Sequence, residues 1–340
     1  MSRNPATIRR LAVILSLALV ATVAGACGGG SSSSPGRTAL TVGLGYIPSV
    51  QFAPFYLADR AGYYRDAGLD VTLQNNSDPD LVTLVGQGAI DVGLADGTSV
   101  IPAVSQAITV RYIATIYRDF PSIVFARTSS GIATAADLKG KKIGIPGRYG
   151  SSWIMLQALL GSVGLTTDDV KIAEYPTYGQ GIAVQQGAVD AATGFSNNEP
   201  VQLALSGIEV TVLHVDPVVA LPGPGLISGT ATISKKATAI RAFVAATLRA
   251  MREIANDQSK GLVAAIAAVP DLAKDRATQA AILDATVTAW RGATSSGAIA
   301  LGSIDRAGWT ASLAFMTTLG LVPHPVTLDQ LIDADLLPKS

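Results

Sequence analysis

The feature that most constrains the fold is a repeated pentapeptide: Gln87-Gly88-Ala89-Ile90-Asp91 returns as Gln186-Gly187-Ala188-Val189-Asp190, 99 residues on. Each copy follows a helix-like stretch (Leu81 to Val85, Ile182 to Gln185) and leads into a strand-like one (Val92 to Ala95, Ala191 to Thr193). In both, the glycine breaks the helix and the aspartate makes the turn. The flanking grammar repeats at a similar distance. Leu40 to Leu44 reads as a strand, Tyr46 to Ser49 as a turn, Phe52 to Tyr64 as a helix stopped at Gly68, and Leu69 to Leu73 as a second strand. Later, Lys142 to Ile145 reads as a strand, Gly147 to Gly150 as a turn, Ser151 to Val163 as a helix stopped at Gly164, and Val170 to Ala173 as a strand. Strand–helix–strand units of this kind build parallel sheets. The chain therefore holds two similar α/β halves, and 340 residues that are 49% hydrophobic suffice to give each a core.

From Ile233 onward the period changes. Ile240, Phe243, Val244, Thr247, Leu248, Met251 and Ile254 fall at helical spacing on one apolar face. Further helical stretches run over Leu262 to Ala268, Thr278 to Trp290 and Asp305 to Leu319, in which Trp290, Trp309 and Met316 read, like Met251, as packing residues.

The N-terminus carries a different signal. Arg9 and Arg10 precede a 13-residue apolar run, Leu11 to Val23, which is too short to span a bilayer and reads as a signal-peptide core. Cys27, the single cysteine, stands where lipoprotein processing leaves its acylated residue. Ala24-Gly25-Ala26-Cys27 resembles a lipobox, with Ala24 where leucine is usual. The alternative is an ordinary secretory peptide with an incidental cysteine. Gly28 to Gly36 is a glycine–serine tether suited to floating a domain off a membrane. With one cysteine there is no disulfide. Without residues 1–26, 22 basic side chains face 25 acidic ones, a balance that argues against nucleic acid as a partner.

Val42-Gly43-Leu44-Gly45-Tyr46-Ile47-Pro48, Phe52-Ala53-Pro54-Phe55-Tyr56-Leu57-Ala58 and Gly62-Tyr63-Tyr64-Arg65-Asp66-Ala67-Gly68-Leu69-Asp70-Val71 resemble the thiamine-precursor-, sulfonate- and nitrate-binding family of ABC-importer receptors. Gly86 to Asp91 and Ala136-Asp137-Leu138-Lys139-Gly140-Lys141-Lys142-Ile143-Gly144 look like that family's other landmarks, so that the likeness spans about residues 40–255. Tyr46 to Pro48, Gln51 to Phe55 and Asn197-Asn198-Glu199-Pro200 look closest to its receptors for riboflavin or thiamine pyrimidine precursors. The resemblance implies an α/β, two-lobed periplasmic-binding-protein-like fold with ligand in the cleft. It implies lobe 1 over 40–118 and 224–340 and lobe 2 over 119–223, after a signal peptide (1–26) and a tether (27–39). It also implies a monomeric receptor, lipid-anchored on the extracytoplasmic face, which serves an ABC permease and ATPase and needs no cofactor or metal.

In doubly wound sheets, ligands bind beyond the carboxyl ends of the strands. Those ends carry Tyr46, Asp96 with Thr98 and Ser99, Tyr117, Tyr149 with Ser151 and Ser152, Tyr178, and Phe195 with Asn197, Asn198 and Glu199. Gln51 and Phe52 join them through the resemblance. Aromatic side chains there would stack a planar ring, with polar groups fixing its orientation; the alternative for each tyrosine is lobe packing. Ser151 and Ser152 open a helix and could receive an acceptor oxygen or merely cap it. Arg148 could hold an anion or bridge the lobes, Asp96 could cap a helix, and Asn197 to Glu199 could be a turn before Pro200. The rival class is an enzyme, because relatives of this fold include a pyrimidine synthase. Those use an active-site histidine and a cysteine-rich motif. Here His214 and His324 lie away from the strand ends and the cysteine motif is missing. The expected ligand is a flat vitamin-type ring, riboflavin before a thiamine pyrimidine precursor, with an alkyl sulfonate or taurine as the alternative.

Overall fold

A computed structural model describes residues 36–75, 78–292 and 301–338. The signal peptide, Cys27 and most of the expected tether lie outside the described residues. The described residues from Arg37 onward form one compact unit built on two five-stranded sheets.

The first sheet uses β1 (Thr38–Leu44), β2 (Leu69–Asn75), β3 (Val92–Asp96), β4 (Val110–Thr115) and, from much later in the chain, β10 (Pro224–Gly229). The second uses β5 (Ser122–Arg127), β6 (Lys142–Ile145), β7 (Lys171–Glu174), β8 (Ala191–Phe195) and β9 (Val210–His214). Their orders are β2-β1-β3-β10-β4 and β7-β6-β8-β5-β9. In each, the first three strands are parallel and the fourth runs antiparallel to both its neighbours. The fold is thus α/β with two mixed sheets, and the chain crosses between them at 116–121 and again at 215–223. Central strands β3 and β10 are buried along their whole length, as sheets covered by helices on both faces require.

The pentapeptide repeat has a physical job. Gly88 and Gly187 sit at φ +76° and +71°, where a side chain would strain the backbone, and both reverse the chain after a helix. Asp91 Oδ2 then accepts the Thr41 N–H of β1 at 2.9 Å, and Asp190 Oδ2 accepts the Lys142 N–H of β6 at 2.7 Å. The equivalent aspartates therefore clamp β1 to β3 and β6 to β8. In the first half, Lys236 Nζ also pairs with Asp91 at 2.8 Å.

Helices cover these sheets. The expected single helix over Phe52 to Tyr64 is instead a 3-10 turn (Val50–Phe52), α1 (Ala53–Arg60) and α2 (Tyr63–Asp66). Pro54 favours a helix start, and the chain turns at Ala61–Gly62. Next come α3 (Asp78–Gly86), α4 (Gly97–Ser105), α5 (Gly150–Gly161), α6 (Gln180–Gln186) and α7 (Glu199–Leu205). The C-terminal set is α8 (Thr230–Asn256), α9 (Gln258–Ala268), α10 (Arg276–Arg291), α11 (Arg306–Thr318) and α12 (Leu328–Leu331). The apolar face of α8 is buried as its spacing predicts, and Phe243 stacks on Tyr64 at 5.0 Å between ring centres. Met251, Trp290, Trp309 and Met316 are all core residues. No described helix is long and apolar enough to cross a membrane.

Candidate functional site

Between the two sheets lies a cleft of about 850 Å³, counted with the open space at its mouth. The first-sheet side supplies Tyr46 just past β1, Gln51 and Phe52 from the 3-10 turn, Asp96 at the end of β3, Tyr117 in the first crossing segment, and Pro224. The second-sheet side supplies Tyr149, Ser151 and Ser152 at the start of α5, Tyr178 and Gln180 before and in α6, and Phe195, Asn198 and Glu199 after β8. These are strand ends and the first turns of following helices, where a parallel sheet opens for a ligand.

The aromatic residues converge. Tyr46 and Tyr178 meet edge to face across the cleft, with centroids 4.6 Å apart at 73°. Asn75 Nδ2 donates to Tyr46 O at 2.8 Å, which fixes that side of the pair. Tyr178 stands at φ +60°, a backbone conformation a non-glycine residue adopts at a cost of about 1–3 kcal/mol. That cost points to a position held for what its ring does. Tyr149 is more exposed and stands at the mouth.

Electrostatically the cleft is acidic or neutral. Among its lining residues there is no lysine, arginine or histidine; the ionisable groups are Asp96, Glu199 and four tyrosines. Glu199 is buried, with Oε2 accepting the Phe195 N–H at 2.9 Å and Oε1 facing Gln180 Nε2 at 3.4 Å. Burial pushes its acid up to about 7, against the pull of the Phe195 N–H. Burial also raises the Tyr46 hydroxyl, and the nearby Glu199 and Tyr178 raise it further while a hydrogen bond to Asn198 opposes them. A Cβ at position 194 would lie 2.7 Å from Glu199 Oε2, so Gly194 is what lets this carboxyl seat against β8.

Four expected site residues are placed elsewhere. Asn197 is buried beneath the cleft wall, where Nδ2 donates to Thr286 Oγ1 at 2.7 Å and Gln51 Oε1 at 2.9 Å. It joins the segment after β8 to α10 and the 3-10 turn. Arg148 turns outward to Glu174, with Nε to Oε1 at 3.1 Å, and its guanidinium lies 5.4 Å from the Trp153 ring centre. Thr98 is fully buried inside α4, and Ser99 is half-buried on the same helix away from the lining. The twelve others line the cleft together. Gln180 is the lining residue of most consequence that sequence reasoning missed; the signal available was its place in the first turn of the helix after a strand end. Neither histidine reaches the site. His214 is half-exposed beside Asp216, and the His324 N–H donates to Ser105 Oγ.

Residues 49–260 match the family described as NMT1/THI5 like. The chain is 31% identical to the riboflavin-binding protein RibY of Chloroflexus aurantiacus, over 90% of this chain and 88% of that one. It is also 31% identical to a 4-amino-5-hydroxymethyl-2-methylpyrimidine phosphate synthase of Aspergillus parasiticus, over 45% of this chain and 44% of the synthase. Among solved structures it resembles the periplasmic aliphatic sulphonate binding protein SsuA of Escherichia coli. There the TM-score is 0.69 and the identity 19%, over 87% of this chain and 97% of that one.

Proposed function

The chain belongs to the NMT1/THI5-like family, and from that premise we propose that it is the extracytoplasmic solute-binding component of an ABC importer, taking riboflavin as its ligand. The observation that carries the ligand is the cleft wall itself: Tyr46 and Tyr178 meet across a site lined by no cation. A flat, uncharged ring gains from aromatic contact there and loses nothing by the lack of positive charge. A sulfonate or nitrate gains little, since Arg148 is engaged with Glu174 outside the lining. A thiamine pyrimidine precursor is the second reading, favoured by the polar group of Asn198, Glu199 and Gln180 on the second-sheet side.

In this reading the protein binds and releases without turnover. Neither histidine reaches the cleft, and the match to the synthase covers less than half of each chain. Residues 40–118 with 224–340, and residues 119–223, are the two lobes, and they close on ligand about the crossing segments. Cys27 is the lipid attachment point, the glycine–serine stretch is the tether, and a permease and an ATPase are the partners of the monomeric receptor. Riboflavin titration tests the ligand directly, because contact with tyrosine rings quenches flavin fluorescence. Undiminished fluorescence, together with a melting temperature raised by taurine, would overturn the reading and move the site to Ser151 and Ser152.

A further inference from the structure

The second-sheet wall of the cleft holds a pair of side chains that ring contact alone leaves without a role. Gln180 is 1% exposed and lines the cleft, yet its Oε1 has no hydrogen-bond partner. Native proteins rarely leave a buried acceptor unpaired, and one carried by a residue that lines a cavity points to a donor brought by a ligand. Its Nε2 is directed at Glu199 Oε1 across 3.4 Å. That is a long contact, so this oxygen of Glu199 keeps capacity for another partner, while Oε2 is committed to the Phe195 N–H.

The surroundings decide which form of Glu199 is stable. α6 and β8 carry no charged residue, and the one titratable group on β9 is His214, beside Asp216. On α10, Asp284 accepts from Gln258, Arg291 donates to Ala255 O, and Arg276 is exposed at the helix start. Facing the cleft are the Tyr46 and Tyr178 hydroxyls and the carboxyl of Asp96. Among the described residues no cation is placed to offset a negative charge on Glu199, so burial acts on it uncompensated.

We propose that Glu199 meets the ligand as a carboxylic acid that donates its O–H, and that Gln180 Oε1 accepts beside it. Together they form a donor–acceptor edge that reads an uncharged heterocycle carrying an adjacent acceptor and N–H. The inference rests on the receptor reading above and adds the edge by which the ring is chosen: an imide, a lactam or an aminopyrimidine. The acid of about 7 agrees with this geometry, since about half of Glu199 then holds its proton at neutral pH and most of it does on the acid side. Ionising the carboxyl removes the donor and sets a charge against the ligand's acceptor, so affinity falls about tenfold per pH unit once Glu199 has ionised.

The test titrates the full-length receptor with riboflavin, with 3-methylriboflavin (which lacks the imide N–H) and with 4-amino-5-hydroxymethyl-2-methylpyrimidine. Between about pH 6 and about pH 8.5 riboflavin affinity should fall roughly thirtyfold in the wild type and hardly at all in Glu199→Gln, whose amide stays neutral. The wild type should bind 3-methylriboflavin at least tenfold more weakly than riboflavin, and Gln180→Ala should lose that preference. A flat wild-type profile, an unchanged pH dependence in Glu199→Gln, or equal binding of the two flavins overturns the edge. Binding of the aminopyrimidine alone refutes riboflavin as ligand without refuting the edge. The edge then stands only if Gln180→Ala weakens that probe and Glu199→Gln alters its pH profile. Failure of all three probes to bind overturns it.

Discussion

Glu199→Gln should make this protein more stable at alkaline pH. The raised acid of Glu199 is a cost to the fold, and the sign follows from proton counting. Below about 4.5 both the folded and unfolded chains hold the proton, and the residue contributes no pH dependence. As pH rises above that value the unfolded chain releases the proton while the folded chain keeps it, so folding is progressively disfavoured. The loss is complete once pH has passed about 7, where the folded carboxyl ionises as well. The separation of the two values corresponds to about 3 kcal/mol at about 1.4 kcal/mol per unit. Glutamine keeps an oxygen for the Phe195 N–H and carries no charge, so the variant escapes that loss. With an unfolding entropy of about 2 cal/mol/K per residue, about 3 kcal/mol corresponds to a rise in Tm of about 4 °C for a chain of this length. Scanning calorimetry of both proteins across the range from acid to alkaline should show curves that coincide near about pH 4.5 and separate by that amount near about pH 8. A Tm difference that does not change with pH, or a variant less stable at alkaline pH, would refute the argument that burial sets this acid.

The same packing arguments give three further expectations. Trp290→Ala should cost about 3–5 kcal/mol in urea-induced unfolding while changing riboflavin affinity less than about twofold, because the indole lies in the core. Arg148→Ala should leave riboflavin affinity within about twofold by fluorescence titration, its guanidinium being held by Glu174 and Trp153 outside the cleft lining; a larger loss would return it to the site. Cys27→Ser should shift the protein from the membrane to the soluble fraction on cell fractionation, and unchanged membrane retention would exclude the lipid anchor.

Sequence periodicity carries the backbone plan well here because both its signals are local. A glycine at positive φ followed by an aspartate that clamps the neighbouring strand is a chemical requirement, and the chain states it twice, at 88–91 and at 187–190. Those turns lead into β3 and β8, short apolar runs between other turns mark the remaining strands, and Tyr46, Tyr117, Tyr149, Tyr178 and Phe195 stand at or just past strand ends. Side-chain direction within a short polar cluster is another matter. Asn197, Asn198 and Glu199 are consecutive, yet Asn197 turns to Thr286 and Gln51, whereas Asn198 and Glu199 line the cleft. The difference depends on α10, which lies nearly ninety positions further along the chain and packs against α7 only once folded. Arg148 is similar. Its pull toward Glu174 comes from strand pairing of β6 with β7, which composition around the turn does not reveal. Gln180 stands at the first position of α6, two residues before the helix-like stretch that the spacing marks from Ile182, and only the folded chain brings it to the cleft lining.

The shared sheet order has a consequence for how the chain is assembled. In the second sheet the odd strand, β5, emerges before its neighbours β8 and β9, so that the sheet can be completed once residue 214 has been made. In the first sheet the corresponding strand is β10, which must fill the gap between β3 and β4 long after both have been made. Until then β3 and β4 each present an unsatisfied apolar edge, the kind of surface that pairs with the wrong chain. The N-terminal residues therefore begin their sheet first and finish it last, and the middle of the chain is free to fold while they wait. A chaperone or a slow export step would act most strongly in that interval, and a circular permutant that brings β10 next to β4 in the chain would shorten it.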